Sequence, residues 1–354
     1  MDELKRMREL TAPLLAWYDL HKRELPWRGT RDPYRIWLSE IMLQQTRVGA
    51  MIAYYERFLA ECPSVYELAA LPEERLYKLW EGLGYYSRAR NLKRAAEVLA
   101  REYGGQFPRS AQELKKLPGI GDYTAAAIAS IAFDEPVPAV DGNLLRVTAR
   151  TALIREDITD TRVKKEITAL LAAAIDPERP GEYNQAMMDL GALVCLPNGA
   201  PLCGECPLRT KCEAYRQGME QTLPLRAEKP PRRAEERTVL LMLRDGRLAL
   251  HRREAKGLLA GLWEFPNVAG SLDAAGAEIA LAQLGFTAKS IAPLRAAKHI
   301  FTHIEWQMKG YLCEVEGEND DLCFVDAAEF AACAIPSAFR AYTAIARELM
   351  KEEN

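Results

Sequence analysis

Apolar residues recur every three or four positions from residue 1 to about residue 220, which is the period of packed helices. Asp32 followed by Pro33 is a typical helix start, and we predict one helix over residues 34–59. Further helices are predicted at 64–80, 88–103, 122–133, 143–154, 160–174 and 182–194. No strand-like alternation interrupts them, so this part of the chain is predicted to be all-α.

The pattern changes after this helical part. The charged, proline-bearing stretch RAEKPPRRAEER (226–237) has no apolar period, and we place a linker at 223–236. In TVLLMLRDGRLALHRR, two β-rich arms flank Asp245-Gly246, which predicts a hairpin. A helix at about 273–284 and the apolar segments GLWEFPNV and IEWQMKGYLCEV complete the pattern. Residues 237–354 are therefore predicted to form an α+β domain.

Composition adds few constraints. The chain of 354 residues is 49% apolar and 27% charged, with a net charge of −3, so no overall basic excess indicates a nucleic-acid partner. A local basic segment, YYSRARNLKR (85–94), is either a solvated helix face or a DNA-facing one. The charged N-terminus lacks a signal sequence and no run is long enough to span a membrane. We expect a cytoplasmic, membrane-free protein without disulfides.

Four of the eight cysteines fall within 18 residues: Cys195, Cys203, Cys206 and Cys212. The intervening segments contain seven, two and five residues. Four thiolates so close together can enclose a tetrahedral zinc ion or an iron–sulfur cluster. The spacing alone favours neither metal.

The stretch LPGIGDYTAAAIA (117–129) joins a tight turn to an alanine-rich helix. Gly119 and Gly121 would allow a sharp turn and close approach to a ligand, and the helix beginning near Asp122 offers free N–H groups to an anion. The segment is either a phosphate-binding element or an ordinary interhelical turn. We expect Asp122 to cap the helix.

Two acids have ordinary structural interpretations. Glu40 shares a helical stripe with Gln44 and Arg47, which is typical of a solvated face. Asp141, in VPAVDGNLLRV, precedes a predicted helix and is typical of an N-cap. Spacing alone assigns chemistry to neither.

Several motifs together resemble one family. They are LPWRGTRDPYRIWLSEIMLQQTRV, WEGLGYYSRARNL, LPGIGDYTAAAI, VDGNLLRV, NQAMMDLGALVC and the four cysteines. In this order they resemble the A/G-specific adenine DNA glycosylases (MutY type) of the endonuclease III superfamily, over about residues 10–220. The resemblance implies a multidomain protein: an all-α helix–hairpin–helix glycosylase region at 1–222 with an iron–sulfur cluster loop, then an α+β Nudix-like domain. A six-helix module would occupy about 27–133, and a cluster module 1–26 plus 134–222.

The resemblance also implies a reaction. The enzyme would bind double-stranded DNA as a monomer, flip out an adenine mispaired with 8-oxoguanine or guanine, and hydrolyse its N-glycosidic bond with net retention. Glu40 matches the proton donor to adenine N7, a role that requires an acid kept protonated by a desolvated pocket. Asp141 matches the carboxylate that stabilises or traps the oxocarbenium-like sugar.

Other positions gain roles by the same resemblance. Tyr123 stands where strand-cutting relatives have a Schiff-base lysine, which implies a monofunctional enzyme in which Tyr123 hydrogen-bonds the catalytic carboxylate or nearby backbone. Asn143 matches a supporting catalytic group, and Gln185 a contact to the adenine edge. The remaining matches to pocket or DNA-contacting positions are Arg28, Gln45, Thr46, Gly119 and Gly121, with Leu83 and Tyr85 as the wedge that enters the base stack.

The cysteine segment resembles the family's [4Fe–4S] site, with seven residues between Cys195 and Cys203 where the usual pattern has six. The C-terminal domain resembles Nudix hydrolases but retains a single acid, Glu278, in the helix that would bind Mg²⁺. Its FTH segment, Phe301, Thr302 and His303, matches the loop that reads 8-oxoguanine.

Three other functions compete with this one. They are a bifunctional endonuclease III-like pyrimidine glycosylase/AP lyase, a catalytically inactive DNA-binding scaffold, and a Nudix hydrolase of free nucleotides. Tyr123 argues against the first, the presence of both Glu40 and Asp141 against the second, and the missing Nudix acids against the third.

Overall fold

The computed structural model describes residues 3–46, 48–228 and 230–351. Its chain contacts form two compact units, residues 1–71 with 90–228 and residues 72–89 with 229–354. Among the described residues, no helix combines the length and the apolar character that crossing a bilayer would require. The α-helices are α1 (Glu3–His21), α2 (Pro33–Leu43), α3 (Val48–Glu61), α4 (Val65–Ala70), α5 (Glu73–Trp80), α6 (Ser87–Glu102), α7 (Ala111–Leu114), α8 (Asp122–Phe133), α9 (Gly142–Thr151), α10 (Thr161–Ala174), α11 (Pro180–Leu193), α12 (Glu213–Arg216), α13 (Ala274–Gln283), α14 (Ala327–Ala332) and α15 (Arg340–Leu349).

Two of the predicted helices are each divided in two. The predicted helix at 34–59 ends at Leu43 and restarts at Val48, because Gln45 adopts a left-handed backbone with φ of 60°. The predicted helix at 64–80 is interrupted at Pro72, which cannot continue a helix from the preceding turn. The apolar period runs through both breaks, and the prediction of continuous helices was wrong there.

The first unit is helical, and one of its cores lies among α1, α9, α10 and α11, where Leu14, Leu144, Ile167 and Leu190 are buried. Helix α8 packs against α2, α7 and α11. Its residues Thr124 to Ser130 are all buried, and their small side chains allow neighbouring helices to approach closely. This central position places the start of α8 beside α2.

The second unit contains a seven-stranded mixed sheet with the order β3-β2-β1-β6-β5, in which β4 also pairs with β1 and β7 with β2. Strands β1 and β6 are parallel, and the other pairs are antiparallel. The strands are β1 (Arg233–Arg244), β2 (Arg247–Arg252), β3 (Trp263–Glu264), β4 (Asn267–Ala269), β5 (Phe286–Ile300), β6 (Ile304–Gly317) and β7 (Leu322–Val325).

Strand β1 is apolar on both of its faces. Val239 and Leu241 belong to a core that contains residues of α15, whereas Leu240 and Met242 belong to a core that contains residues of α13. Burial on both faces explains the unbroken apolar run, which alternation alone would not predict. The predicted hairpin at Asp245-Gly246 is confirmed, because Arg244 pairs with Arg247 directly across the turn.

The predicted domain boundaries were 1–222, 223–236 and 237–354, and the chain contacts divide the molecule differently. Residues 72–89 group with the C-terminal unit. Strand β1 begins at Arg233, inside the predicted linker, because residues 233–236 extend the parallel ladder with β6. The charged side chains at this exposed strand end do not follow the apolar alternation from which a strand is predicted.

Candidate active site

Eight of the predicted site residues line one cavity of about 550 Å³ in the first unit. They come from the turn after α1, from α2 and the turn after it, and from the starts or inner faces of α8, α9 and α11. Their positions in the sequence are far apart, so the fold brings them together. These residues are Arg28, Glu40, Gln45, Thr46, Tyr123, Asp141, Asn143 and Gln185.

Glu40 lies on a buried face of α2 and is only 6% exposed, so the interpretation as a solvated residue was wrong. The Tyr123 hydroxyl donates a hydrogen bond to Glu40 Oε2. Burial raises the pKa of Glu40, the Tyr123 hydrogen bond opposes this rise, and the nearby Asp141 carboxylate adds to it. Arg47, placed on the same stripe by the sequence, lies outside the described residues.

Asp141 is the N-cap of α9 and also faces the cavity. Its Oδ1 accepts the backbone N–H groups of Asn143 and Leu144, both at 2.8 Å, and its Oδ2 accepts the Asn143 side-chain amide at 2.6 Å. Burial raises the pKa of Asp141, and these three hydrogen bonds lower it. One carboxylate therefore caps the helix and is held in a fixed orientation in the cavity.

Asn143 is held in turn by residues that the sequence analysis missed. Its Oδ1 accepts Arg146 Nη2 at 2.9 Å, and Arg146 also donates to the backbone oxygens of Gly191 and Cys195. A Cβ at Gly191 would lie 2.6 Å from Asn143 Cβ. A glycine is thus required at residue 191 for Asn143 to approach α11.

Asn184 was also missed. It is fully buried, its Oδ1 accepts the backbone N–H of Ala139, and its Nδ2 donates to Ser130 Oγ and the Val137 oxygen, all at 2.9 Å. These bonds attach the extended segment before Asp141 to α8 and α11. A polar residue among the buried positions of α11 is the sequence signal that could have identified it.

Arg28 and Gln185 are neighbours within the cavity, with Arg28 Nη1 2.7 Å from Gln185 Oε1. The buried Tyr18 contacts both side chains, and the fully buried Asp189 accepts from Arg28 Nη2 at 2.9 Å. Neither Tyr18 nor Asp189 was identified from the sequence, although Asp189 lies one turn after Gln185.

The predicted phosphate-binding turn lies apart from the cavity-lining residues. Gly119 has φ of +73°, and a Cβ there would lie 2.4 Å from Asn91 Cβ, so the turn packs tightly on α6. Gly121 is the N-cap of α8. The expectation that Asp122 caps this helix was wrong, because its side chain is 86% exposed and forms an ion pair with Lys115 instead.

The remaining predicted DNA contacts lie in the second unit. The hydroxyls of Tyr85 and Thr302 are 3.0 Å apart, and the Phe301 ring packs edge-on against Trp306 with centroids 4.9 Å apart. His303 is exposed, and its backbone oxygen accepts the N–H of Arg233. Tyr85 is 49% exposed, whereas Leu83 is only 6% exposed and would have to leave its packing to act as a wedge.

The four clustered cysteines line a second, small and largely apolar cavity of the first unit, together with Val147, Leu190 and Arg150. Arg150 Nη1 lies 3.2 Å from Cys195 Sγ and 2.9 Å from the Leu196 oxygen. Burial raises the pKa of Cys206 to about 12 and that of Cys212 to about 11, so thiolates there need a compensating cation.

In the described ranges, the structure contains no group of three or more His, Cys, Asp or Glu side chains arranged to hold a metal ion. The donor chemistry of this cavity nevertheless fits a thiolate-bound metal, because all four sulfur atoms belong to one enclosure with an arginine at its edge. The seven-residue segment between Cys195 and Cys203 contains exposed residues 198–200, and its base is closed by a hydrogen bond from Leu202 N to the Val194 oxygen at 2.9 Å.

Residues 38–173 match the family described as HhH-GPD superfamily base excision DNA repair protein, and residues 238–344 match the NUDIX domain. Among solved structures, a thermostable thymine-DNA glycosylase is 28% identical, with a TM-score of 0.55 over 60% of this chain and 98% of that one. An endonuclease III in a non-covalent DNA complex is 25% identical, with a TM-score of 0.52 over 62% of this chain and 99% of the other. The expected fold class is confirmed.

Sequence relatives are more similar over a longer span. The adenine DNA glycosylase of mouse (Mus musculus) is 37% identical over 358 residues, which cover 84% of this chain and 69% of the mouse protein. The human (Homo sapiens) adenine DNA glycosylase is 36% identical over 375 residues, covering 88% and 68%. With the helical and NUDIX matches in the same order, and Glu40 and Asp141 in one cavity, the chain belongs to the adenine DNA glycosylases of the HhH-GPD superfamily.

Proposed function

We propose that the protein is a monofunctional DNA glycosylase of base excision repair that removes adenine mispaired with 8-oxoguanine or guanine in double-stranded DNA. The observation that supports this best is the buried Glu40–Tyr123 pair in the same cavity as Asp141. The cavity, at about 550 Å³, has room for a flipped-out purine. Family membership supports the same reaction.

Protonation of the base is the first step. Adenine leaves poorly as an anion, so a proton must reach its N7 before the bond from C1′ to N9 breaks. Glu40 is suited to this because burial raises its pKa and keeps it protonated further toward neutral pH. Since Tyr123 donates to Oε2, the carboxyl proton is held on Oε1, which is the oxygen left to donate to the base.

The bond then breaks, its electron pair moves to the protonated base, and the sugar becomes an oxocarbenium-like cation. Asp141 stabilises this cation or bonds to C1′. Water then adds at C1′, breaking any bond to Asp141 and giving up its proton to the Glu40 carboxylate or to solvent, and the abasic site forms with net retention. The two backbone N–H groups and the Asn143 amide hold the Asp141 carboxylate in position before the charge develops.

The alternative, a bifunctional lyase, requires an amine that can reach C1′. Among the described residues, no lysine lines this cavity, and the side chain at the start of α8 is the phenol of Tyr123. The product is therefore an intact strand that carries an abasic site.

The second unit supplies lesion recognition in this proposal. Thr302 and the Phe301 ring would contact 8-oxoguanine, with Tyr85 entering the stack beside it and His303 at the loop edge. The turn at Gly119 and Gly121 would bind a DNA phosphate through the free N–H groups of α8.

A [4Fe–4S] cluster would be held by Cys195, Cys203, Cys206 and Cys212. When bound, it would cross-link the loop that contains them through four iron–thiolate bonds. The as-purified protein should be brown with about four irons per chain. A colourless protein with one zinc would contradict this assignment.

A single-turnover assay tests the function. Duplexes containing adenine opposite 8-oxoguanine are incubated with the protein and analysed with and without alkali. We expect alkali-dependent strand breaks at the adenine, and no breaks in a duplex whose adenine pairs with thymine. Breaks that form without alkali would refute the monofunctional assignment.

A matched pair of variants tests the mechanism. Asp141→Asn keeps a helix-capping side chain and removes the carboxylate, and we expect it to abolish excision. Asp160→Asn makes the same change at the N-cap of α10, outside the cavity, and should excise at the wild-type rate. Full activity in Asp141→Asn would refute the assigned role.

A further inference from the structure

A polar cluster of Tyr18, Arg28 and Gln185 adjoins the active-site cavity, which Arg28 and Gln185 line, and all three residues also line a neighbouring cavity of about 750 Å³. Tyr18 is 3% exposed, and its hydroxyl donates to Gln185 Oε1 at 2.6 Å. Arg28 Nη1 donates to the same Oε1 and to the Tyr18 hydroxyl, both at 2.7 Å. The Gln185 amide oxygen thus receives two short hydrogen bonds from protein groups.

These contacts determine which end of the amide is engaged by the protein and which end is left for a ligand. A guanidinium has five donors and no acceptor, so the Gln185 atom beside Arg28 must be the oxygen. The Tyr18 hydroxyl oxygen accepts a hydrogen bond from Arg28, and the hydroxyl donates its single proton to Gln185 Oε1. A flipped amide would bring its NH₂ group against Arg28 and leave the Tyr18 proton without this acceptor. The Nε2 group, for its part, has no hydrogen-bond partner among the described residues.

Arg28 is itself held in place. Its Nη2 lies 2.9 Å from Asp189 Oδ1, and Asp189 is fully buried and also binds Arg23. A buried carboxylate shared between two arginines keeps the guanidinium charged and oriented. The orientation of the Gln185 amide is thus set before a ligand arrives.

We propose that Tyr18 is a positioning residue that, with Arg28, fixes Gln185 as a hydrogen-bond donor toward the flipped base. This inference rests on the proposed function and extends it to base specificity. Because Glu40 is the proposed donor to N7, we assign the Gln185 amide to N1, the ring nitrogen beside the 6-amino group. Adenine presents a lone pair at N1, whereas guanine and hypoxanthine carry a hydrogen there, so a fixed donor favours adenine.

The test combines base analogues with variants in single-turnover assays. The substrates contain adenine, 1-deazaadenine or 3-deazaadenine opposite 8-oxoguanine, and the proteins are wild type, Tyr18→Phe and Gln185→Ala. In wild type, 1-deazaadenine should react about tenfold more slowly than adenine through loss of this hydrogen bond, and 3-deazaadenine, which keeps N1, is the control analogue. Because deaza substitution also changes base reactivity, the informative quantity is the adenine-to-analogue rate ratio of each variant relative to wild type.

In Gln185→Ala that ratio should fall by about tenfold, and Tyr18→Phe should shift it in the same direction while slowing adenine excision. Tyr183→Phe is the matched control. Tyr183 lies in the same buried core as Tyr18, and its hydroxyl makes no hydrogen bond to the described residues. This variant should leave the ratio unchanged. Circular dichroism melting checks that all variants are folded.

Two outcomes overturn the inference while leaving the proposed function intact. One is wild-type protein that excises adenine but does not discriminate against 1-deazaadenine. The other is a ratio that stays at its wild-type value in both Tyr18→Phe and Gln185→Ala. Absence of adenine excision from any duplex by wild-type protein would instead refute the proposed function.

Discussion

Replacing Asn184 with alanine should uncouple the segment before Asp141 from the helical core. The Asn184 side chain makes three hydrogen bonds at 2.9 Å, to Ala139 N, Val137 O and Ser130 Oγ. Asn184, Ser130 and Ala139 are fully buried. Alanine would remove all three bonds and leave their partners without an equivalent group in the interior.

The cost follows from the count of lost bonds. A lost hydrogen bond that leaves a buried partner unsatisfied costs about 1 kcal/mol or more, so the variant should lose roughly 3 kcal/mol of unfolding free energy. For a domain of this size that corresponds to a fall in Tm of about 6–12 °C. Excision should also slow, because residues 137–139 lead directly into Asp141.

Thermal melting followed by circular dichroism gives the Tm, and native-state hydrogen exchange gives the protection of the Ala139 amide. Ser130→Ala is the graded control, because it removes one of the three partners and should lower the Tm by about a third as much. An Asn184→Ala protein with wild-type Tm and a protected Ala139 amide would refute this account of how the segment is held.

Four further results are expected. Glu40 must be protonated to act, and burial raises its pKa, so single-turnover excision should fall as pH rises through that pKa; a rate that increases steadily from pH 6 to 9 would contradict this. Because the pKa of Glu40 is higher in the folded than in the unfolded protein, the free energy of unfolding should fall as pH rises from the unfolded pKa to the folded pKa. The variant Glu40→Gln lacks this titrating group, so its Tm should depend less on pH. Gly191→Ala puts a Cβ 2.6 Å from Asn143 Cβ, so it should cost about 1–3 kcal/mol and slow excision, whereas Gly142→Ala, with open space around it, should cost little steric energy. Treatment with a chelator and oxidant, which would remove the proposed cluster, should lower the Tm of the first unit, detected as loss of helical signal, and an unchanged melt would argue against a structural cluster.

The sequence predicted helix and sheet content well where one period describes a whole element. Helix α8 was predicted at its observed bounds, and α9, α10, α11 and the β1–β2 hairpin nearly so. The prediction failed where a helix breaks but the apolar period continues. At Gln45 a residue with a left-handed backbone turns the chain, and no glycine or proline marks the break in the sequence. The prediction also failed at strand ends with charged residues, as at Arg233.

The candidate site was also predicted only in part. Family motifs indicated the cavity-lining acids, because the proposed catalytic residues are recognisable within a motif. Tyr18, Arg146, Asn184 and Asp189 were missed, because their importance comes from partners distant in sequence. A single sequence gives no information about which buried polar groups meet. For Asp141 the ordinary and the chemical interpretations were compatible, since the same carboxylate caps α9 and faces the cavity.

The loop between Cys195 and Cys203 has a consequence for protein engineering. Its two ends are joined by the bond from Leu202 N to the Val194 oxygen, and residues 198–200 between them are exposed. Lengthening an already closed surface loop adds little entropic cost, because that cost grows only with the logarithm of loop length. A longer loop would therefore cost little here, and the Asn198-Gly199 turn is a suitable position at which to insert a fluorophore-binding peptide next to the cysteine cavity.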